Sequence, residues 1–585
     1  MLLAGVGAQA TSIEETRWGF GGTGVSGRLN LLSVRLFNNT PEIFEGVISL
    51  EKNGFKGRVG AKHIQPVFVS PYTERWVQFY TYVDDQSSTW EVKVGRGNRP
   101  GQIKELKRPR LKPPVRVFLS NDANSLGDNV NMKRFPDSLF PSTVSGLDGL
   151  YSVVLAHAPG WESPRRQAMR DWLYEGGVLH VFQNEFGEFP TFLRELYFIN
   201  DVEDRQEFGA GLVVKHRKPI GKISERLLLN SGFKLPESVN AKNNGGGLLW
   251  QGLNAIMFTH LRKLVLPEHS WPLLFFVAAL YVILICPVNY VFARIWKNHF
   301  KSIGFFVACM VVFSFIFALA GQRGFGESSS IHSLAYVKPL EGERVDVTSW
   351  NNVFSAKGRF VEITHDAGNR IYSTCETDEG VPGQIVNGPQ GKFMLDMPIF
   401  SSAQFMLRTR LENVDLTSDL VEGAANMPEK VRVKVGRDFP EDILYGFGIV
   451  GDQSYPVEKR GEFLFLNTDR GQRTDQLLDN ATRNQLSQIA NNFRGIGRWG
   501  DDKAQEDIPL ELKHRPLFFA MIEEILHKAN LFNSGYRLPP HQGVEQLRLF
   551  LVVKGLEKLN AQSEEFSYPD SFMLLHQDLN FKTIE

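Results

Sequence analysis

The sequence predicts a multidomain α/β plus β protein: an N-terminal β-sandwich, a parallel α/β domain, a two-helix transmembrane hairpin and a C-terminal β-rich region with a few helices. Three observations carry this reading. Two long runs without charge lie near the middle of the chain. Short alternating strand-like segments fill both flanks. Between residues 113 and 235 the pattern changes to apolar runs separated by a helical segment. A chain of 585 residues has room for roughly four domains.

The first element is short. MLLAGVGAQA ends in Ala8-Gln9-Ala10, an A-x-A pattern. Residues 1–10 read either as the remnant of a signal peptide or as a frayed apolar end. Residues 14–110 follow, with LNLLSVRLFNN, EGVISLEK, VQFYTYV and TWEVKVG separated by turn residues, the pattern of a small antiparallel β-sandwich. Gly22-Thr23-Gly24-Val25-Ser26-Gly27 matches G-x-G-x-x-G, but a strand follows it instead of a helix, so it reads as a turn. Gly495 to Gly500 matches as well and also lacks the strand-turn-helix context. The basic run Lys104–Lys112 before Pro113-Pro114 reads as a charged linker.

From Val115 the pattern is α/β. VRVFL and LYSVVLA are continuous apolar runs, as expected for strands covered on both faces. Ser163-Pro164 opens a helix, with Ser as N-cap and Pro at the first position. Ala168, Met169, Trp172 and Leu173 form its apolar face, and Gly176-Gly177 ends it. GVLHVF is the next strand. The spacing predicts strands at 115–119, 150–156 and 178–182, a helix over about 164–175, and a buried Trp172.

Trp271–Ala293 is a run of 23 residues without a charge, and Ser302–Gln322 one of 21. As helices they are about 35 and 32 Å long, enough to cross a hydrocarbon core of about 30 Å. The expected spans are residues 271–295 and 302–322. Trp271 and Trp296 flank the first. Pro287 frees a carbonyl inside it, and Asn289 is placed to bond that backbone or the second helix. Neither span carries an internal charge, so the pair reads as an anchor. Arg294, Lys297 and Lys301 in the short connection favour a cytoplasmic loop. Both large flanks then lie outside.

Residues 331–585 read as a C-terminal β-rich region of two sub-domains, with RFVEIT, GKFMLDM, AQFMLRTRL and VEQLRLFLVVKGL as strands. Helical patterns run over 475–493 and 516–530, the second with Phe518, Ile522, Ile525 and Leu526 on one side.

Composition narrows the function classes. Lys+Arg and Asp+Glu are both 65, so no basic excess is present to neutralise phosphates and no nucleic-acid partner is expected. The three cysteines, Cys286, Cys309 and Cys375, cannot form a disulfide framework or a four-Cys zinc site. HExxH, P-loop, paired CxxC and EF-hand patterns are absent from the sequence. No catalytic, cofactor-binding or metal residue is assigned, and no cofactor is expected.

The stretch GLYSVVLAHAPGWESPRRQAMRDWLYEGGVLHVF resembles the class I glutamine amidotransferase-like domain of multidomain bacterial membrane proteins. The Pro-Val-Asn-Tyr in the first span and the order of the domains are similar as well. The resemblance implies a flavodoxin-like sheet at 113–235 and a place in the bacterial inner membrane with periplasmic domains. It does not carry over the chemistry, because the family's nucleophile is a cysteine and residues 1–270 contain none. The domain is a degenerate, Cys-less version by this reading.

An open α/β sheet binds ligands at the carboxyl ends of its strands. Asn121, Asp122, His157, Asn184 and Glu185 fall there. His157 and Glu185 are the one candidate acid–base or metal pair, although turn chemistry uses the same residue types. The expected function is a membrane-anchored, non-catalytic envelope protein, not an enzyme. Its partners are the lipid bilayer and an envelope protein, as in an accessory part of a transport or envelope complex. The alternative is a hydrolase using the strand-end cleft.

Overall fold

The computed structural model describes residues 11–222, 254–321, 328–474, 517–525 and 546–581, apart from short stretches within these ranges. The molecule is mostly β-sheet with few helices, two of them strongly apolar.

The N-terminal part is a sandwich. Strands Thr11–Trp18, Arg28–Asn38 and Glu74–Val83 form a three-stranded sheet, with Arg28–Asn38 in the middle. Alternation along that middle strand feeds two cores. Leu32, Val34 and Leu36 face Ile48, Leu50, Trp90 and Val92 of the second sheet. Leu29 and Leu31 point the other way, toward the α/β unit. The G-x-G-x-x-G at 22–27 is two turns around the short strand Thr23–Gly24, with Gly22 and Gly27 at positive φ. The basic run contributes to sheets as well: Lys104 lies in strand Arg99–Leu106, and Arg110–Leu111 pairs with Thr23–Gly24.

The second sheet of the sandwich has seven strands, and three of them come from beyond the apolar helices. Strand Gly57–Val69 pairs in parallel with Gly380–Val386, which pairs with Lys392–Met397 and then Arg359–Ile363. The sequence reading placed no strand of 331–585 in this sheet.

The α/β unit has the sheet order Lys133–Pro136, Val115–Ser120, Leu150–Leu155, Val178–Gln183, Gly211–Pro219, Arg205–Phe208. The first five are parallel and the last is antiparallel. The helix spans Ser163–Tyr174. Its N-cap is Glu162, not Ser163, and Ser163 instead donates its hydroxyl to Glu195. Trp172 is buried. The Gly176-Gly177 stop has two separate reasons. Gly176 sits at φ +117°, and a Cβ on Gly177 would lie 2.4 Å from the Trp172 ring.

The C-terminal part is a twelve-stranded sheet. Its centre is the ladder Ser330–Leu340, Arg344–Ser355 and Ser401–Glu412, extended through Ser571–Asn580 and Gln546–Lys554. Leu334 and Trp350 face the core shared with the α/β unit, while Val337, Val345 and Val347 face a second core. Phe518 and Ile522 join the shared core and Ile525 packs against it. The pattern at 475–493, the motif at 495–500, Leu526 and residues 1–10 lie outside the described residues.

The apolar hairpin comprises helix Trp271–Ile283, a π-helical turn Leu284–Val288 holding Pro287, helix Asn289–Trp296 and helix His299–Gly321. Pro287 lacks the N–H that a regular helix needs, and the wider turn absorbs the defect. Ser302 donates to Asn289 Oδ1 at 2.9 Å, joining the two helices. Segments Phe275–Ile295 and Phe300–Phe317 are long and apolar enough to cross a membrane.

Candidate functional site at the strand ends of the α/β unit

The strand order reverses between Val115–Ser120 and Leu150–Leu155, whose outer neighbours lie on opposite sides. In open α/β sheets the crevice at such a reversal, beyond the carboxyl ends of the strands, is where ligands bind. His157 stands two residues past the end of Leu150–Leu155. Its Nε2 lies 3.0 Å from Asp137 Oδ2, and both side chains are partly exposed. Asp137 directly follows Lys133–Pro136, the strand on the other side of Val115–Ser120.

The Asp137 backbone is fixed from behind. Trp161 Nε1–H donates to its carbonyl at 2.8 Å, and the Trp161 ring stacks on Phe140 with centroids 4.4 Å apart. Arg165 donates to the Phe140 carbonyl at 2.7 Å. An Nε2–H given to the Asp137 carboxylate leaves Nδ1 as the basic nitrogen of His157. A carboxylate that orients a histidine in this way is the arrangement of a general base. It also serves in binding alone, because the pair presents a partly exposed imidazole and carboxylate beyond the strand ends.

The other candidates do not join it. Glu185 is exposed, and His157 turns to Asp137 instead. Asn184 is a turn residue: its Oδ1 accepts the N–H groups of Phe186 and Glu188. Asn121 is exposed, and Asp122 lies outside the described residues. Asp137 was missed because it follows a four-residue strand with no clear alternation. No local pattern marks it, because the histidine it meets is 20 residues further along the chain.

Nearby groups are structural. Burial raises the Glu195 carboxyl, but the Arg166 guanidinium and Ser163 hydroxyl outweigh this and hold it at about 2. Inside the sheet, His180 Nδ1 and His216 Nε2 are 3.1 Å apart. Burial pushes His216 down to about 4 and His180 well below its ordinary range, so both are neutral. Among the described residues no group of three or more His, Cys, Asp or Glu is placed to hold a metal ion.

At the opposite, amino ends of the same strands lies a buried ion cluster. Asp148 precedes Leu150–Leu155, and Glu175 precedes Val178–Gln183. Arg408 of the C-terminal sheet reaches Asp148 at 2.5 Å, Glu175 at 3.1 Å and Asp346 at 3.2 Å. Asp171, on the helix, receives Arg344 at 2.7 Å and Arg410 at 2.8 Å. Burial, and then the Asp346 charge, pushes Glu175 up to about 8 in spite of Arg408.

No family model matches the chain, and no curated protein matches it. Among solved structures, a Paenibacillus cycloisomaltooligosaccharide glucanotransferase aligns with 7% identity over 68% of this chain and 70% of that one, at a TM-score of 0.16. A beta-glucuronidase from glycoside hydrolase family 2 aligns with 9% identity over 77% of this chain and 56% of that one, at a TM-score of 0.14. The expectation that the chain is not an enzyme is corrected here: both neighbours are enzymes by title, so that exclusion is withdrawn. Likeness this slight transfers neither their fold nor their chemistry to this chain.

Proposed function

We propose that the chain is a membrane-anchored envelope protein whose soluble body, on the outer side, binds a partner or ligand as part of a transport or envelope complex. One observation carries the anchored topology. Strands from before and after the apolar hairpin share a sheet, Gly57–Val69 with Gly380–Val386. A sheet cannot continue across a bilayer, so hairpin helices that span it leave both flanks on one face and the residue 297–298 connection on the other. The basic connection supports the outer assignment for the body.

The α/β unit is read as flavodoxin-like, and as a Cys-less relative of class I glutamine amidotransferase-like domains. Counted along the chain from Val115–Ser120, its first four strands stand in the order 2-1-3-4, which supports the flavodoxin-like reading. A second reading is favoured by the His157–Asp137 pair at the strand reversal: hydrolytic chemistry there, with His157 as base.

Topology is tested with an impermeant thiol reagent on intact cells, in a background with the three cysteines replaced. Tyr72→Cys in the body labels and Asn298→Cys labels only after permeabilisation. The reverse pattern places the body in the cytoplasm.

A further inference from the structure

Both chain connections to the apolar hairpin leave from one end of the soluble body. On the way in, the Phe258 carbonyl accepts from Gln404 at 2.7 Å and the Leu261 carbonyl from Asn352 at 3.1 Å. On the way out, Ser330 pairs with Phe354, and Ser329 Oγ accepts the Ala356 N–H at 3.1 Å. Asn352, Phe354, Ala356 and Gln404 all lie at the same end of the Ser330–Leu340, Arg344–Ser355 and Ser401–Glu412 ladder. Val265 is six residues before Trp271 and Ser330 nine after Gly321, so at most about 20 and 30 Å of chain separate the body from the helices.

That end is also where the two large sheets meet. Arg344–Ser355 turns into Arg359–Ile363, and Lys392–Met397 turns into Ser401–Glu412. The two turns touch: a Cβ on Gly358 would lie 3.0 Å from Ile399 Cγ1. The tip between Phe44–Gly54 and Gly57–Val69 comes to the same end, since Gly60 pairs with Gly380 and Gly383 with Leu395. These turns, and the strand start beside them at Phe360, carry four exposed large apolar side chains: Phe55 at 106% exposure, Phe360 at 65%, Ile399 at 63% and Phe400 at 45%. Turn tips normally carry polar residues, and Phe400 adopts φ +54°, where Gly or Asn is usual. Exposed Arg58 and Lys357 stand among them. Aromatic and basic residues together are the composition of a surface at the headgroup level of a bilayer.

We infer that this rim, Phe55, Phe360, Ile399 and Phe400, dips into the headgroup boundary of the bilayer that the hairpin spans, and so fixes the tilt of the body on the membrane. The inference rests on the anchoring proposed above. The occupant is lipid, because the rim is continuous with both chain connections to the hairpin. Each aromatic ring that leaves water adds to the hold of the two helices.

The test uses the full chain with Cys375 and Cys309 replaced by Ala. Single cysteines at Phe55, Phe360 or Phe400, in a background also lacking Cys286, carry an environment-sensitive fluorophore. Retained Cys286 is the label inside the hairpin, and Tyr72→Cys, at the far end of Gly57–Val69, is the exposed control. Each protein is reconstituted into phosphatidylcholine–phosphatidylglycerol vesicles with nitroxide lipids. The expected result is blue-shifted emission and strong nitroxide quenching at 55, 360 and 400, with Tyr72→Cys unshifted and unquenched. Rim labels that match Tyr72→Cys while the Cys286 label is quenched overturn the inference and leave the anchor standing. Blue-shifted but unquenched rim labels overturn it in favour of a protein or a second copy of the chain on that surface. An unquenched Cys286 label overturns the anchor reading and the inference with it.

Discussion

The parallel strands of the α/β unit end in polar groups on both sides, and the two sides are opposites. At the amino ends, Asp171 is buried, Asp148 and Glu175 are largely covered, and all three are held by Arg408, Arg344 and Arg410 from the C-terminal sheet, Arg408 itself being buried. At the carboxyl ends, His157 and Asp137 are partly exposed and held by each other. Charges sealed from water are expensive unless paired, so the amino side is a joint that tolerates little change. A half-open pair surrenders little on substitution and can still exchange protons with a ligand. One unit is thus clamped at one end and available at the other.

The strongest way to break this contrast is at the joint. Arg408→Ala takes from Asp148, Glu175 and Asp346 the cation they share, leaving among the described residues only Asp148 with a second one, Arg28 at 4.0 Å, and removing one member of a buried ion pair costs about 3–5 kcal/mol. Thermal unfolding of the purified chain should show a large drop in midpoint, together with faster proteolysis of the α/β unit. An unchanged midpoint would mean that the cluster is not sealed. Trp172→Ala removes a buried aromatic from the same side and should cost about 3–5 kcal/mol as well. Gly177→Ala drives a methyl into that ring and should cost about 1–3 kcal/mol. Equal stability of either variant would show that the helix end is loosely packed.

Glu175 gives the joint a pH signature. Its folded pKa, raised to about 8, exceeds the ordinary carboxylate value. Across the window between them the folded chain keeps a proton that the unfolded chain releases, so this residue lowers stability as pH rises toward 8. Glu175→Gln should flatten the fall in unfolding midpoint between pH 5 and pH 8, roughly the window set by those two values. A parallel curve for the variant would contradict this. Buried His63 and His216, pushed down to about 4, act in the opposite direction. They stay neutral while the unfolded chain takes up protons, so stability falls as pH drops below about 6.5.

The smallest stability effect is expected at the open end. His157→Gln should shift stability by no more than about 1 kcal/mol, the range for a pair that water still reaches. If hydrolysis occurs there, the variant loses it while Asp137→Asn loses part. A stability loss like that of Arg408→Ala would make the pair a second joint.

Local patterns were legible where each residue reports its own environment. The uncharged runs gave the two apolar helices, and apolar runs around Ser163-Pro164 and Gly176-Gly177 gave strand, helix and strand. What escaped was long-range. Parallel pairing of Lys62 with Gln384 leaves no mark near either residue, so the shared sheet was invisible. Arg408 and Arg410 alternate within a run that the sequence marks only as a strand; their acids lie on a neighbouring strand, a distant helix and loops, which no local pattern records. His157 was found from its place after an apolar run, but its partner was sought after the next strand rather than at Asp137, before it.

The sheet shared across the hairpin also constrains the order of synthesis. The Gly57–Val69 strand has its Phe44–Gly54 neighbour at once, but its other edge waits for Gly380–Val386, roughly 320 residues later. At about 5–20 residues per second the ribosome takes on the order of 15–60 s to supply it. Throughout that interval the nascent chain presents an open strand edge, a template for mispairing. Both apolar helices also leave the ribosome before Gly380–Val386 does, so on the anchored reading proposed above they are inserted while the sheet is still one edge short.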